Sequence, residues 1–259
     1  MAIKVGVIGI DHGHIFGMLG GMKDQGCECD AYWTDGPAVT ETKFNEVFPE
    51  VAKVDDRQRI LDDPEISMIL ISAVPADRAM FAIEAMKAGK DVMVDKPGCT
   101  TLAQLDEIKT TQKETGRIWT VNFSERFQVP ATTKATELVE GGAIGRVIQT
   151  VGLGPHKKNL KTRPDWFFKR ERYGGILCDI GSHQIDQFLH YTGSKTANVE
   201  HALVENSSMP EHPGFQDFGE LVLRSDTAHA YVRVDWFTAD GHPTWGDGRL
   251  FIQGTEGFI

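Results

Sequence analysis

From residue 3 to residue 123 the chain alternates between short apolar runs and stretches of helical period, and few architectures accept that order. IKVGVI (3–8), residues 29–34, SMILISA (67–73), DVMV (91–94) and residues 118–123 read as strands. Their β-branched content with little polar alternation marks strands covered on both faces. Between them, residues 39–48, 56–61, 77–88 and 101–115 read as helices. Gly89 supplies a helix stop, and Thr101 with Gln104 three positions later forms a capping-box pattern. Strands alternating with helices build a parallel sheet covered on both sides. In such sheets ligands lie at the carboxyl ends of the strands, so residues 9–14, Asp35, residues 72–75 and Lys96 are expected to line one crevice.

The first strand opens at Gly9 into GIDHGHIFGML, the strand, turn and helix layout of a dinucleotide-binding unit. Asp35, 26 positions on, stands where an acid that binds an adenosine ribose would sit; taken alone, an Asp after a strand is ordinary turn chemistry. In the GxGxxG pattern the second and third glycines fall on Asp11 and His14. A carboxylate at 11 brings bulk and like charge toward a pyrophosphate. Alternatively Asp11 turns away to cap the following helix, or a protonated His12 or His14 favours phosphate. A metal site built from Asp11, His12 and His14 ranks behind both.

After about residue 124 the pattern changes. A helix over 132–140 ends at Gly141-Gly142, a strand covers 146–152, and GPHKKNLKTRPDWFFKRERY (154–173) is basic and aromatic. Beyond a helix near 176 come strands at 199–205, 218–224, 228–237 and 250–253, with Ser225-Asp226-Thr227 as a hairpin turn. The expected fold is an α/β Rossmann domain with a parallel sheet over 1–123, then an α+β domain with a largely antiparallel open sheet over 124–259.

Thirty-seven acids against 27 bases leave a net charge of -10, which argues against a nucleic-acid or anionic-membrane partner and for a small-molecule substrate. No apolar run approaches the roughly 18 residues of a membrane span, and MAIKVGVIG enters a strand at once, so a cytoplasmic location is expected. Cys27, Cys29, Cys99 and Cys178 lack both CxxC spacing and scaffold density, which points to reduced thiols.

The chemistry concentrates in GGILCDIGSHQID (174–186). On one helix, Asp179, His183 and Asp186 share a stripe, with Leu177, Ile185, Phe188 and Leu189 opposite. A carboxylate one turn before an imidazole can orient the ring or share a substrate hydroxyl with it, and histidine titrates near neutrality. The plainer reading is a half-exposed helix with solvated polar residues. A shared metal ion lacks a third ligand nearby, and none is expected.

AGKDVMVDKPG (88–98), EGGAIGRV (140–147), GGILCDIGSHQID and FIQGTEGFI (251–259), in that order, resemble the signatures of the Gfo/Idh/MocA oxidoreductases, relatives of glucose-fructose oxidoreductase and inositol dehydrogenase. The resemblance spans essentially the whole chain. It implies a nicotinamide cofactor, NAD or NADP, with Asp35 tilting the choice to NAD, held around Gly9, Asp11, His12, His14, Asp35, Ser72, Pro75 and Lys96. It implies catalysis by Lys96, Asp179 and His183: His183 as base for a substrate hydroxyl, Lys96 stabilising charge on the same oxygen, Asp179 fixing substrate or imidazole. Arg126, His156, Arg163 and Trp166 suit a hydroxylated or acidic ligand and could equally be surface residues. The family's open sheet implies a homodimer or homotetramer. Asp95 stands where the family has Glu, the glycine fingerprint is broken, and the chain stops at Ile259, where the family begins its last strand and helix, so either a truncated chain or an unusually exposed sheet edge is expected. The implied activity is hydride transfer between NAD(P) and a sugar, polyol or related hydroxy compound; the alternative is a non-redox member, a ligand-binding or regulatory protein or a hydrolase or lyase, with altered or lost cofactor binding.

Overall fold

The structure, a computed structural model, describes residues 2–259. It divides into two compact units, one running to Asn122 and taking in Glu171–Gly174, the other comprising Phe123–Arg170 and Gly175–Ile259. Among the described residues no helix is long and apolar enough to cross a membrane.

The first unit runs β1 (Lys4–Ile8), α1 (Ile15–Asp24), β2 (Ala31–Trp33), α2 (Glu41–Val47), β3 (Ala52–Lys53), α3 (Gln58–Leu61), β4 (Ile66–Ile71), α4 (Arg78–Lys87), β5 (Asp91–Asp95), α5 (Leu102–Thr115) and β6 (Trp119–Asn122). The strands form one parallel sheet in the order β3-β2-β1-β4-β5-β6. Because side chains alternate along a strand, Ile8, Ile69, Ile71, Val92 and Val94 pack with Phe81, Ala82 and Met86 of α4, while Val5, Val7 and Leu70 pack with Ile15, Leu19, Phe44 and Phe48. Two apolar faces explain the unbroken hydrophobic runs. β3 went unread because its two residues are exposed and carry no apolar pattern. The capping box of α5 forms as expected, Thr101 Oγ1 accepting from the Gln104 amide at 3.2 Å, with left-handed Gly116 closing the helix.

In the second unit α6 (Ser124–Phe127) and α7 (Pro130–Glu140) precede β7 (Val147–Pro155). A short turn, α8 (Arg170–Tyr173), crosses the division between units, and α9 (Ile176–Asp179), α10 (Gly181–Thr192), β8 (Asn198–Glu205), β9 (Phe218–Arg224), β10 (His229–Asp235) and β11 (Arg249–Gly254) follow. The sheet order is β11-β7-β10-β9-β8, with β7 and β10 parallel and every other pair antiparallel. The hairpin at 225–227 closes through Ser225 N–H donating to the Ala228 carbonyl at 2.8 Å.

Helix α10 packs on β7 through a face the apolar pattern did not indicate. Its buried residues are Gly181, His183, Gln184, Gln187, Phe188 and Tyr191, whereas Ile185 and Leu189 remain half-buried. The reason lies on β7: a Cβ at Gly152 would come 2.7 Å from Gln184 Cγ, so two glycines make the groove that admits this glutamine, whose amide donates to Glu125 at 2.9 Å. The single helix expected from 176 is also two, α9 and α10, joined at Ile180.

The two weaker motifs meet each other. Glu256 N–H donates to the Ile144 carbonyl at 3.0 Å, Thr255 N–H to the Arg146 carbonyl at 3.0 Å, and a Cβ at Gly254 would overlap the Ile144 carbonyl. EGGAIGRV and FIQGTEGFI are thus two sides of one backbone junction. The edge expected at β11 is partly covered, because Ile252 and Ile259 exchange backbone hydrogen bonds at 2.9 and 3.0 Å.

Candidate functional site

At the carboxyl end of β1 the chain turns at Gly9 with φ +78°, and a Cβ there would lie 2.7 Å from Ala73 Cα and 2.8 Å from its amide nitrogen. Only glycine meets both demands. The loop is stitched to β4 by His12 N–H donating to the Ser72 carbonyl and the Ser72 hydroxyl donating to the His12 carbonyl, each at 3.0 Å. Ser72 is therefore buried in loop support, and Pro75 opens the 3-10 turn Pro75–Asp77.

Asp11 does not cap α1. The N-cap position belongs to His14, no side chain caps the helix, and the turns closed by Ile15 N–H to His12 O and Phe16 N–H to Gly13 O separate Asp11 from the first helical turn. Burial instead pushes the Asp11 carboxyl up to about 6, against the attraction of Arg78.

His12 and His14 turn onto Asp95. His12 Nδ1 lies 2.9 Å from Asp95 Oδ2 and His14 Nδ1 lies 2.7 Å from Oδ1, with the two rings edge to face at 4.3 Å. Behind the carboxylate stands Arg78, fully buried: Nη2 meets Asp95 Oδ2 at 2.9 Å, Nε donates to the Ala73 carbonyl at 2.7 Å, and Nη1 reaches the carbonyls of Asp95, Lys96 and Pro97 at 3.1, 2.5 and 3.1 Å. Burial alone would raise the Asp95 pKa, yet Arg78 and the imidazoles hold it well below the usual carboxylate range. Burial and the neighbouring His14 lower His12 to about 4, so it is neutral at pH 7 and donates Nδ1–H to Asp95.

Two of the departures from the family pattern, His14 in the glycine fingerprint and Asp95, are thus halves of one contact. A glutamate at 95 would carry its carboxylate one methylene further, into the space the imidazoles occupy. His12, His14 and Asp95 place ligand atoms within 4.8 Å of one another, but the guanidinium on the same carboxylate and the 2.7 and 2.9 Å nitrogen-oxygen separations make the group a hydrogen-bonded latch between the glycine turn and β5.

Lys96 follows β5 directly and is 3% exposed, joined to Pro97 by a cis peptide. A merely solvated lysine does not sit so. Asp35 is exposed just past β2. Arg78 was missed in the sequence. Its only signal is a base opening a helix whose later turns are apolar, and nothing local says that it points inward.

In the second unit, Gly174 and Gly175 turn with φ +92° and +90° into α9, and the Ile176 amide donates to Gln216 Oε1 at 3.0 Å. Asp179 ends α9, half-buried. His183 lies in the first turn of α10, 2% exposed, with the Phe123 ring edge-on at 6.1 Å. The plainer reading of a half-exposed helix with solvated polar residues does not hold for His183, which lies in the interior. Asp186 is taken up by Arg126, Nε at 2.5 Å and Nη2 at 2.9 Å, and the guanidinium lies 4.1 Å from the Phe127 ring. That pairing commits Arg126 to holding α6 against α10. The His156 ring packs on Trp236 and Trp245 with centroids at 5.5 and 6.4 Å, Trp166 is half-buried, and Arg163 stands among aromatic rings within the electrostatic reach of Asp179.

A doubly covered parallel sheet with a glycine turn after its first strand defines a dinucleotide-binding Rossmann unit, here followed by a mixed-sheet α+β unit. Residues 3–123 match the oxidoreductase family with an NAD-binding Rossmann fold, and residues 132–259 match the GFO/IDH/MocA C-terminal domain. The chain belongs to the Gfo/Idh/MocA oxidoreductase family. It is similar to a solved protein of Erwinia carotovora atroseptica assigned to the oxidoreductases, with 44% identity and a TM-score of 0.95 over 99% of this chain and 77% of that one. It is 28% identical to the NAD-dependent scyllo-inositol 2-dehydrogenase of Bacillus subtilis over 79% of this chain and 58% of the relative. The myo-inositol 2-dehydrogenase of Lactobacillus plantarum shares the fold, with a TM-score of 0.80 at 23% identity over 100% of this chain and 76% of that one. The chain spans about three-fifths of the length of the curated relatives it matches, 62% and 58% of the first two.

Proposed function

We propose that this chain carries out NAD(P)-dependent oxidation and reduction of a hydroxyl group on a sugar, polyol or related compound, with NAD favoured over NADP. The observation that carries the proposal is Lys96, an amine held in the interior immediately after a central strand of a dinucleotide-binding sheet. The loop supports a bound dinucleotide: α1 has no side-chain cap, a Cβ at Gly13 would meet nothing within 4 Å, and Gly9 brings the backbone close to β4. Gly9, Asp11, His12, His14, Ser72 and Pro75 would frame the pyrophosphate and nicotinamide ends, and Asp35 would accept from the adenosine ribose while opposing a 2′-phosphate. When bound, the nicotinamide supplies the hydride acceptor or donor. His183 takes the hydroxyl proton, Lys96 hydrogen-bonds the substrate oxygen and stabilises its charge, and Asp179 orients substrate or imidazole. Domain functions follow the units, cofactor over 1–123 and substrate over 124–259. Calorimetric titration with NAD, NADH, NADP and NADPH, followed by assay against polyols, tests the reading. Absence of binding to all four would sink it in favour of a non-redox family member with lost cofactor binding.

Asp11 gives this reading a pH signature. At an effective dielectric of about 20 and about 5 Å, a second negative charge costs on the order of 3 kcal/mol. Since the carboxyl titrates near 6, NAD affinity should rise as pH falls from 7.5 to 5.5, because bound pyrophosphate favours the protonated acid. Asp11→Asn should flatten that dependence, and Asp11→Gly should tighten binding at pH 7.5 by roughly ten- to a hundredfold. The same raised pKa means the folded state binds the proton more tightly. Its stabilising contribution is complete below about 3.8 and is lost as pH rises through about 6. A pH-independent dissociation constant, unchanged in both variants, would show that the acid points away from the cofactor.

Association through the second sheet is also proposed, as a homodimer or homotetramer. Every residue of β8 is exposed, including Val199, Leu203 and Val204, and such a face invites pairing. Light scattering at micromolar concentration should report at least twice the monomer mass, and a strict monomer would count against it. The four cysteines have neither CxxC spacing nor the density of a disulfide scaffold, which suits the reducing cytoplasm, and this we propose as the location.

A further inference from the structure

We propose that the substrate carries an anionic group, a carboxylate or phosphate ester, and that Arg163 is the residue that selects it. This deepens the reading of the second unit as the substrate unit and rests on it. The Arg163 guanidinium carbon lies 4.2 Å from the centroid of Phe167, 4.9 Å from that of Trp236 and 5.1 Å from that of Trp245. Its Nε donates to the Lys158 carbonyl at 2.7 Å and Nη2 to the Lys157 carbonyl at 3.2 Å. Five N–H donors less these two leave three for something else. Among the described residues no carboxylate lies within ion-pair distance of it, and burial lowers its pKa to about 10, with Asp179 opposing that shift from further off.

Two neighbouring lysines are likewise met by neutral oxygens. Lys157 Nζ donates to the carbonyls of Asp240, at 3.0 Å, and His242; Lys158 Nζ meets the Ser208 hydroxyl and lies 5.2 Å from the Phe237 ring centroid. Among the described residues neither lysine forms an ion pair. Lys157, Lys158 and Arg163, all within seven residues, thus have no carboxylate within ion-pair distance among the described residues of a chain whose net charge is -10. A cation withdrawn from water costs free energy unless an anion meets it. Here the aromatic rings hold the guanidinium plane, the backbone carbonyls fix its rotation, and the remaining fork is shaped for two oxygens of one oxyanion. Asp179 stands near enough to this cation to be felt, which ties the anion subsite to the residue proposed to handle the substrate hydroxyl.

The test uses one carbon skeleton in three forms: D-glucitol, D-gluconate and D-glucitol 6-phosphate, at ionic strength matched with potassium chloride. Thermal stabilisation of the full chain is measured without cofactor, and kcat/KM with NAD. At least one anionic probe should stabilise the wild type more than D-glucitol does, and which one identifies carboxylate or phosphate. Arg163→Gln should collapse the ratio of anionic to neutral response at least tenfold, acting on KM rather than kcat, while Arg163→Lys should restore part of it. Equal or absent stabilisation by all three probes in the wild type overturns the proposal, as does an unchanged ratio in a folded Arg163→Gln. Anion-specific stabilisation together with no calorimetric binding of NAD, NADH, NADP or NADPH keeps the anion subsite and overturns the oxidoreductase reading instead.

Discussion

Replacing Arg78 by Met should destabilise the first unit by about 3–5 kcal/mol, the loss expected when one partner of a buried ion pair is removed. The side chain is fully buried, as is the Asp95 carboxylate it meets, and the same guanidinium serves the carbonyls of Ala73, Asp95, Lys96 and Pro97. Methionine matches much of the volume and none of the donors. The Asp95 charge would be left to two imidazoles, one of them neutral at pH 7. Urea denaturation of the single variants and of Arg78→Met with Asp95→Asn isolates the pair: the double variant should lose less than the sum of the two singles, because removing both charges leaves neither uncompensated. A loss below about 1 kcal/mol in Arg78→Met would mean that the latch is not what holds the glycine turn to β5.

Turnover should fall by roughly two orders of magnitude or more in Lys96→Ala and again in His183→Ala, the scale of general acid-base and oxyanion contributions. Both side chains are nearly excluded from solvent, at 3% and 2% exposure, so circular dichroism and thermal melting must accompany the kinetics to separate chemistry from folding. A folded His183→Ala should lose kcat more than KM, since the proton leaves the hydroxyl only as hydride leaves the carbon. Near-normal turnover in both variants with a cognate substrate ends the assignment.

The places where reading from sequence failed share a cause. Apolar periodicity assigns a face by the average character of its residues, and α10 buries Gln184 because Gly152 and Gly154, some thirty residues earlier on β7, make the room. Asp11 was open to a capping role because a carboxylate near a helix start often has one; the helix begins three residues later than that role requires. Asp95 and His14 each looked like a separate loss from a family pattern, and only their 2.7 Å approach shows that they belong together.

What the sequence determined by itself were the properties carried by neighbours along the chain. The strand and helix alternation, the capping box of α5, the Gly9 turn and the hairpin at 225–227 all depend on local sterics, and strands with no polar alternation already required a sheet covered on both sides. Tertiary structure alone decided which charges are withdrawn from water and what meets them there. Arg78 against Asp95, Arg126 against Asp186 and Arg163 against Trp236 and Trp245 each join residues 17 to 82 positions apart. A charge carries no local signal of its partner, because the energy of burying it depends on groups brought together only when the chain has folded.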